Sequence, residues 1–365
     1  MKKNLLAIVF LALLEACSSG KAALSSGNYY EAVLESVNRL RGSPDNKKAK
    51  AVLQQSYPLA VEFIETGIKN DITANSPRMW RNAVSGYEKI NYMNDQIKTS
   101  LGAMRIISQP VTRYTELKDA KVKAAEESYN EGITALMKNS REDAKQAYFD
   151  FKEASNYQPG YRETIEMMNQ AEFNATLRVA YEEINASRIN YSLQPIVNQM
   201  SRQFLTFRPL NVRDTLPPHQ FLRIVFNGYR EDGAARVTSR SEVVTRDVKT
   251  GEKKGPDGKM QDVMTKVESK ITYYTKIKTA RSAAMLTITD ASTQAVLETE
   301  NIEGRSTWQY EWASHTGDVR ALSSSQQGLI KLKEVSPNDT DLYNQAMRNL
   351  EANLRNKLKG FYSRY

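Results

Sequence analysis

The sequence predicts an all-α first half joined to an α+β second half, whose mainly antiparallel sheet is covered by a terminal helix. Three observations carry this. From Ala22 to about Ala175 apolar residues recur at helical spacing, with few glycines and no alternating stretch. From Phe221 the period becomes two. Near the C-terminus Leu342, Ala346, Leu350, Leu354 and Leu358 recur every four residues, the apolar stripe of an amphipathic helix.

The chain of 365 residues opens on an export signal: Met1, Lys2 and Lys3 are followed by an unbroken apolar run of ten, Leu5 to Leu14, and by Glu15-Ala16-Cys17. A bilayer takes about 20 apolar residues to span, so this run reads as a leader. The junction resembles that of bacterial lipoproteins, whose signal is cut before a cysteine that then carries the lipid. Leu14, Ala16 and Cys17 fit that pattern, and Glu15 stands where the family usually has a small or apolar residue. The resemblance implies a signal peptide over residues 1–17 and lipidation of Cys17. The other reading is an ordinary secretory signal that ends in a free thiol. Ser18, directly after Cys17 and with no acidic run behind it, is similar to lipoproteins sorted to the outer membrane and kept on its periplasmic side. Residues 18–21, Ser-Ser-Gly-Lys, make a small polar tether. They match the Ser-x-x-Lys of penicillin-binding proteins by coincidence, because a nucleophile needs a rigid pocket.

Composition narrows the chemistry. Cys17 is the only cysteine, so its acylation leaves no thiol for a disulfide, a metal or a nucleophile. With His219 and His315 the only histidines, neither a metal nor another cofactor is expected. The net charge is +9, and the surplus lies in the second half: residues 176–365 hold 28 basic and 21 acidic side chains, residues 18–175 hold 21 and 20. The export signal, and the lack of a basic stripe interleaved with aromatics, argue against nucleic acid. Anionic headgroups, lipopolysaccharide phosphates or an acidic partner are the available counterparts, beside a merely solvated surface of mixed charge.

Residues 22–175 predict helices over 21–41, 46–68, 77–102, 111–138, 140–157 and 160–174, with Pro58 kinking the second and Pro77 and Pro110 starting the third and fourth. Gly27, Tyr29, Ala32, Leu40 and Pro44, then Ala147, Phe151, Ala154 and Pro159, resemble the tetratricopeptide repeat. Trp80, Ala83 and Tyr87 fit its first-helix half. The resemblance implies stacked antiparallel helix pairs with an extended surface that holds other polypeptides. A helical stack without the repeat geometry is the alternative. Tyr29, Trp80, Tyr87, Tyr148 and Tyr157 are the candidate protein contacts, with packing between helices as the competing role.

Residues 176–365 form the second domain. Leu177 to Ile184 fits a strand or a helix, and Asn185-Ala186-Ser187 stops it either way. Leu193 to Leu205 has helical spacing, and the proline-bearing connection after it includes Asp214-Thr215-Leu216, a tripeptide that some bacteria glycosylate on threonine. Phe221 to Phe226 predicts a strand ended by Asn227-Gly228. Strands then follow from Val243, through Val267 to Ile277, and from Ala284 to a turn at Asp290–Gln294 with a return at Val296. Gly328 to Glu334 and Leu342 to Tyr362 predict helices, the last capped by Asp339, Thr340 or Asp341. The Ile288–Thr293 hairpin, the Val296-Leu297 return and the terminal helix are similar to small domains of curli-secretion lipoproteins and of lipoprotein activators of penicillin-binding proteins. That family's hairpin glycine is Gln294 here.

Gly258-Lys259 does not make a phosphate loop, because Met260 replaces the metal-binding hydroxyl. Trp308 and Trp312 with His315 and Asp318 form the densest polar and aromatic cluster, a candidate glycan site where Glu311 and Asp318 suit a general acid and base. Aromatic stripes more often cover a sheet. The sequence therefore predicts a lipid-anchored, non-catalytic adaptor that binds envelope-assembly or secretion proteins; the alternative is a glycan-binding protein, a cell-wall enzyme or a regulator of a wall synthase.

Overall fold

A computed structural model describes residues 19–185, 192–210, 216–256 and 259–365. Residues 1–17, expected from the sequence to be a leader ending at Cys17, lie outside them, as do Ser18, Ala186-Ser187, Asp214-Thr215 and Gly258. The chain divides into two compact units between Ala175 and Thr176.

The first unit holds α1 Lys21–Ser25, α2 Tyr29–Gly42, α3 Lys47–Thr73, α4 Met79–Lys98, α5 Leu101–Met104, α6 Tyr114–Leu136, α7 Arg141–Tyr157 and α8 Thr164–Ala175. The single helix expected over 21–41 is two. Gly27 takes a left-handed φ of 78° and Asn28 accepts the Glu31 amide, so the chain stops and restarts there. Similarly the helix expected to reach 102 ends at Lys98, and Ser100 caps a new turn by accepting the Ala103 amide. The helix expected over 46–68 runs through Pro58 to Thr73. Pro77 and Pro110 start neither α4 nor α6, whose cap positions are Arg78 and Arg113.

Two buried clusters join α2, α3, α4 and α6. Val33, Val37 and Leu40 of α2 meet Leu53 and Tyr57 of α3 and Ile90, Met93 and Ile97 of α4. Ile68, Ala83, Val84, Ala120 and Ala124 join α3, α4 and α6. Tyr57 also accepts the Val111 amide at 2.6 Å, and Asn91 accepts that of Arg113 at 2.6 Å, which fixes the entry into α6.

The second unit holds β1 Leu177–Asn185, α9 Gln194–Met200, β2 Leu205–Pro209, β3 Gln220–Glu231, β4 Arg236–Lys254, β5 Met260–Asp290, β6 Val296–Gly317, a short turn of 3-10 helix Val319–Ala321, α10 Ser324–Ile330 and α11 Asp339–Tyr362. The sheet expected to be mainly antiparallel is mixed: β3, β4 and β6 pair antiparallel with β5, but β1 lies between β2 and β3 and runs parallel to both. Leu177, Val179, Ala180 and Tyr181 are buried on both faces of β1, as parallel strands usually are. Asn227-Gly228 does not end β3 but makes a bulge, after which pairing resumes to Glu231.

β5 is the spine, 31 residues long. Its second half pairs with β3 and its first half with β4, so these two share one edge, and β6 takes the other from Ser269 to Thr289. Helix α11 covers one face with Leu342, Ala346, Leu350, Leu354 and Leu358. Its cap is Asn338, which accepts the Thr340 amide at 3.0 Å, rather than any of the three residues after it. The helix lies close on the sheet: the Ser306 hydroxyl donates to the Leu342 carbonyl at 2.8 Å, and a Cβ on Gly304 would strike the Ala346 and Leu350 backbone. At the other end of the sheet, Leu322, Leu329 and Ile330 cover Ile271 and Ala313.

Candidate functional site

An open groove of about 840 Å³ lies on the first unit, bounded by the start of α4, one face of α6 and part of α7. The α6 residues that line it, Lys123, Glu126, Glu127, Asn130, Glu131 and Thr134, recur three and four apart, so a single helix face forms the wall. Trp80 stands at its rim with the Lys123 ammonium 4.0 Å from the ring centroid.

Arg81 sits beside this groove at 9% exposure and gathers three carboxylates: Glu131, Glu153 at 3.0 Å, and Glu127 at 3.8 Å. Its amide also donates to Glu127, at 3.3 Å. Burial pushes the Glu127 carboxyl up, against the pull of Arg81. Asp150 is buried, takes a hydrogen bond from the Gln146 amide at 2.9 Å, and is likewise pushed up by burial. Tyr157 donates to Glu153 at 3.0 Å; burial, followed by that carboxylate's charge, pushes the phenol up to about 12. The arrangement is a fixed, mutually paired wall of charge.

Of the five aromatic candidates, Trp80 borders the groove while packing on the second core, and Tyr157 packs on the same core and donates to Glu153. Tyr87 packs against both helical cores, Tyr29 packs on the first and sets its ring edge to Phe63, and Tyr148 is buried against Phe149. Sequence reasoning missed Arg81, Glu127, Glu131, Glu153 and Asp150. The i, i+4 spacing of Glu127 and Glu131 is visible in the chain, but nothing local points to a cation 46 residues earlier.

In the second unit the structure separates the four glycan candidates. Trp308, Tyr310 and Trp312 form a row of near-parallel rings 5.9 and 6.0 Å apart, and Tyr274 stacks on Trp312 at 5.3 Å. Stacked in this way, the rings turn their faces on one another. His315 is three residues from Trp312 on an unbroken strand and therefore points to the opposite face, where its Nδ1 lies 3.3 Å from the Ser269 hydroxyl. Asp318 caps the following turn, accepting the Arg320 amide at 2.9 Å. The Arg320 guanidinium beside it holds its carboxyl at about 2. Glu311 and Asp318 therefore do not form a facing acid and base pair.

Among the described residues no group of three or more His, Cys, Asp or Glu side chains is arranged to hold a metal ion, and no helix is long and apolar enough to cross a membrane. No known protein family and no curated protein matches the chain.

Proposed function

We propose that the protein is a lipid-anchored, non-catalytic adaptor of the bacterial envelope, held at the outer membrane on the periplasmic side through Cys17. Its helical unit holds a segment of another polypeptide in the groove beside Trp80, and envelope-assembly or secretion proteins are the class of partner. The observation that carries this reading is the single polar face of α6, Lys123 to Thr134, which lines the open groove together with Trp80. An extended peptide needs amide and charge partners spaced along its length together with an anchor for one large side chain; the α6 face offers the first and Trp80 the second. The resemblance to tetratricopeptide repeats is supported by Ala32, Ala83, Ala147 and Ala154, all fully buried at the family's small-residue positions.

The test uses the full chain in cells. Pull-down from detergent-solubilised membranes should recover a distinct polypeptide with the native protein and lose it with Trp80→Ala combined with Asn130→Ala, at unchanged helical content. Recovery of the lipoprotein alone, or of the same polypeptide with the variant, would count against the groove. Incorporation of a labelled fatty acid that persists in Cys17→Ser would remove the anchor.

A further inference from the structure

The second unit carries a feature that the adaptor reading does not use. Past Arg246 and Glu268, where the Leu322 carbonyl and the Asp318 amide make the last tie to the rest of the unit, β4 and β5 continue as a two-stranded ribbon. Residues 247–254 and 260–267 pair only with each other, and none of them is buried. At about 3.4 Å per residue the ribbon extends about 27 Å. Its internal ties are polar: Lys249 bonds Glu252 and Asp262, and the Thr250 and Thr265 hydroxyls meet at 2.8 Å. A lone ribbon of this kind is marginally stable in water, so contact with a surface would add order to it.

The far end combines two kinds of side chain. Met260 and Met264 are 60% and 55% exposed, although methionine ordinarily fills interiors. Lys254 lies opposite Met260 and Lys249 opposite Met264, with Lys253 and Lys259 next to Lys254 and Met260 in sequence. Of the carboxylates in residues 252–264, Glu252 and Asp262 are paired with Lys249, and Asp257 is the third. No ion pair is made by Lys253 or Lys254 among the described residues. A second copy of this chain would bring lysine against lysine at such a tip. A layer of acidic headgroups meets it with opposite charge, and its fluid interior accepts unbranched thioethers without a fixed complementary pocket.

We infer that the end of the β4–β5 ribbon is a membrane-docking tip, in which Lys253, Lys254 and Lys259 engage anionic phospholipid headgroups and Met260 and Met264 enter the interfacial layer. This contact is separate from the groove on the helical unit and from the lipid on Cys17, because it is read at the tip itself.

The experiment places a reporter there. Met264→Trp is introduced into the full chain, whose fluorescence is compared with the native protein on phosphatidylcholine vesicles with and without phosphatidylglycerol, and with brominated acyl chains as quencher. On anionic vesicles the added indole should shift to the blue and be quenched. Neutral vesicles should give neither effect, and raised salt should reverse both. Lys253→Glu with Lys254→Glu should weaken the response at least about 25-fold, taking about fivefold for each lysine at an anionic surface. As a second readout on the native chain, amides of 247–254 and 260–267 should exchange more slowly on anionic vesicles. Equal emission on both vesicle types, with unchanged exchange, overturns the inference. So does a blue shift that grows with protein concentration in the absence of vesicles, which would assign the tip to a second copy.

Discussion

The Ser282 hydroxyl donates to the main-chain carbonyl of Ala346 at 2.9 Å, so a sheet side chain reaches the backbone of the helix that covers it. Such an approach needs small residues beneath the helix, and Gly304 provides the closest one. Gly304→Val should displace α11 and cost the second unit about 3 kcal/mol, read as a lower urea midpoint at unchanged slope. Ser282→Ala, which leaves the space intact, should cost only about 1 kcal/mol. Equal losses from the two changes would contradict the close approach.

Among the described residues Arg81 is the one cation paired with Glu127, Glu131 and Glu153, and it is nearly fully enclosed. Arg81→Gln leaves three carboxylates near one another, with Glu127 largely buried and Glu131 and Glu153 partly exposed. The helical unit should lose about 3 kcal/mol in thermal or urea unfolding at neutral pH. The deficit should shrink on acidification, as protonation of Glu127 relieves the repulsion.

Asp150 makes a prediction with a definite sign in pH. Its folded carboxyl stands above the ordinary value because of burial. A group shifted in this direction contributes its full stability below the unfolded value, about 3.9, and loses it as pH rises through the folded value. Asp150→Asn keeps an acceptor for Gln146 and removes the ionisation. The variant should therefore melt at a higher temperature than the native protein near neutral pH, with the difference vanishing towards about pH 4. A variant that melts lower at neutral pH and equally at acid pH would show that Asp150 is stabilised as an anion.

Trp312 stacks on both Tyr310 and Tyr274. Trp312→Ala should lower the stability of the second unit by about 2 kcal/mol, as two aromatic contacts are lost. Sedimentation with purified peptidoglycan should be the same before and after the change, since the ring faces already meet one another.

What the chain discloses in advance follows from which interactions are local. The four-residue spacing of Leu342, Ala346, Leu350, Leu354 and Leu358 announces a helix with one apolar side, and all five are buried. The alternation of Trp308, Tyr310 and Trp312 likewise puts their rings in one row. The turn at Asp290 could be placed but not explained. Gln294 takes the left-handed φ of 60°, while Asp290 Oδ1 accepts the amides and hydroxyls of both Ser292 and Thr293. The direction of β1 was hidden, because alternation has the same period in parallel and antiparallel neighbours. The groove wall was hidden for a different reason: Arg81 and the carboxylates around it belong to three helices, and no short stretch of sequence contains the set.

The length of β5 has a consequence for how the second unit finds its fold. The same strand supplies Ile271 to the small core under α10 and Ala284, Leu286 and Ile288 to the large core under α11. Sliding β5 by one position against its neighbours would turn both sets towards water at once. Two separate interiors therefore veto the same error, because a misaligned β5 would empty both at once.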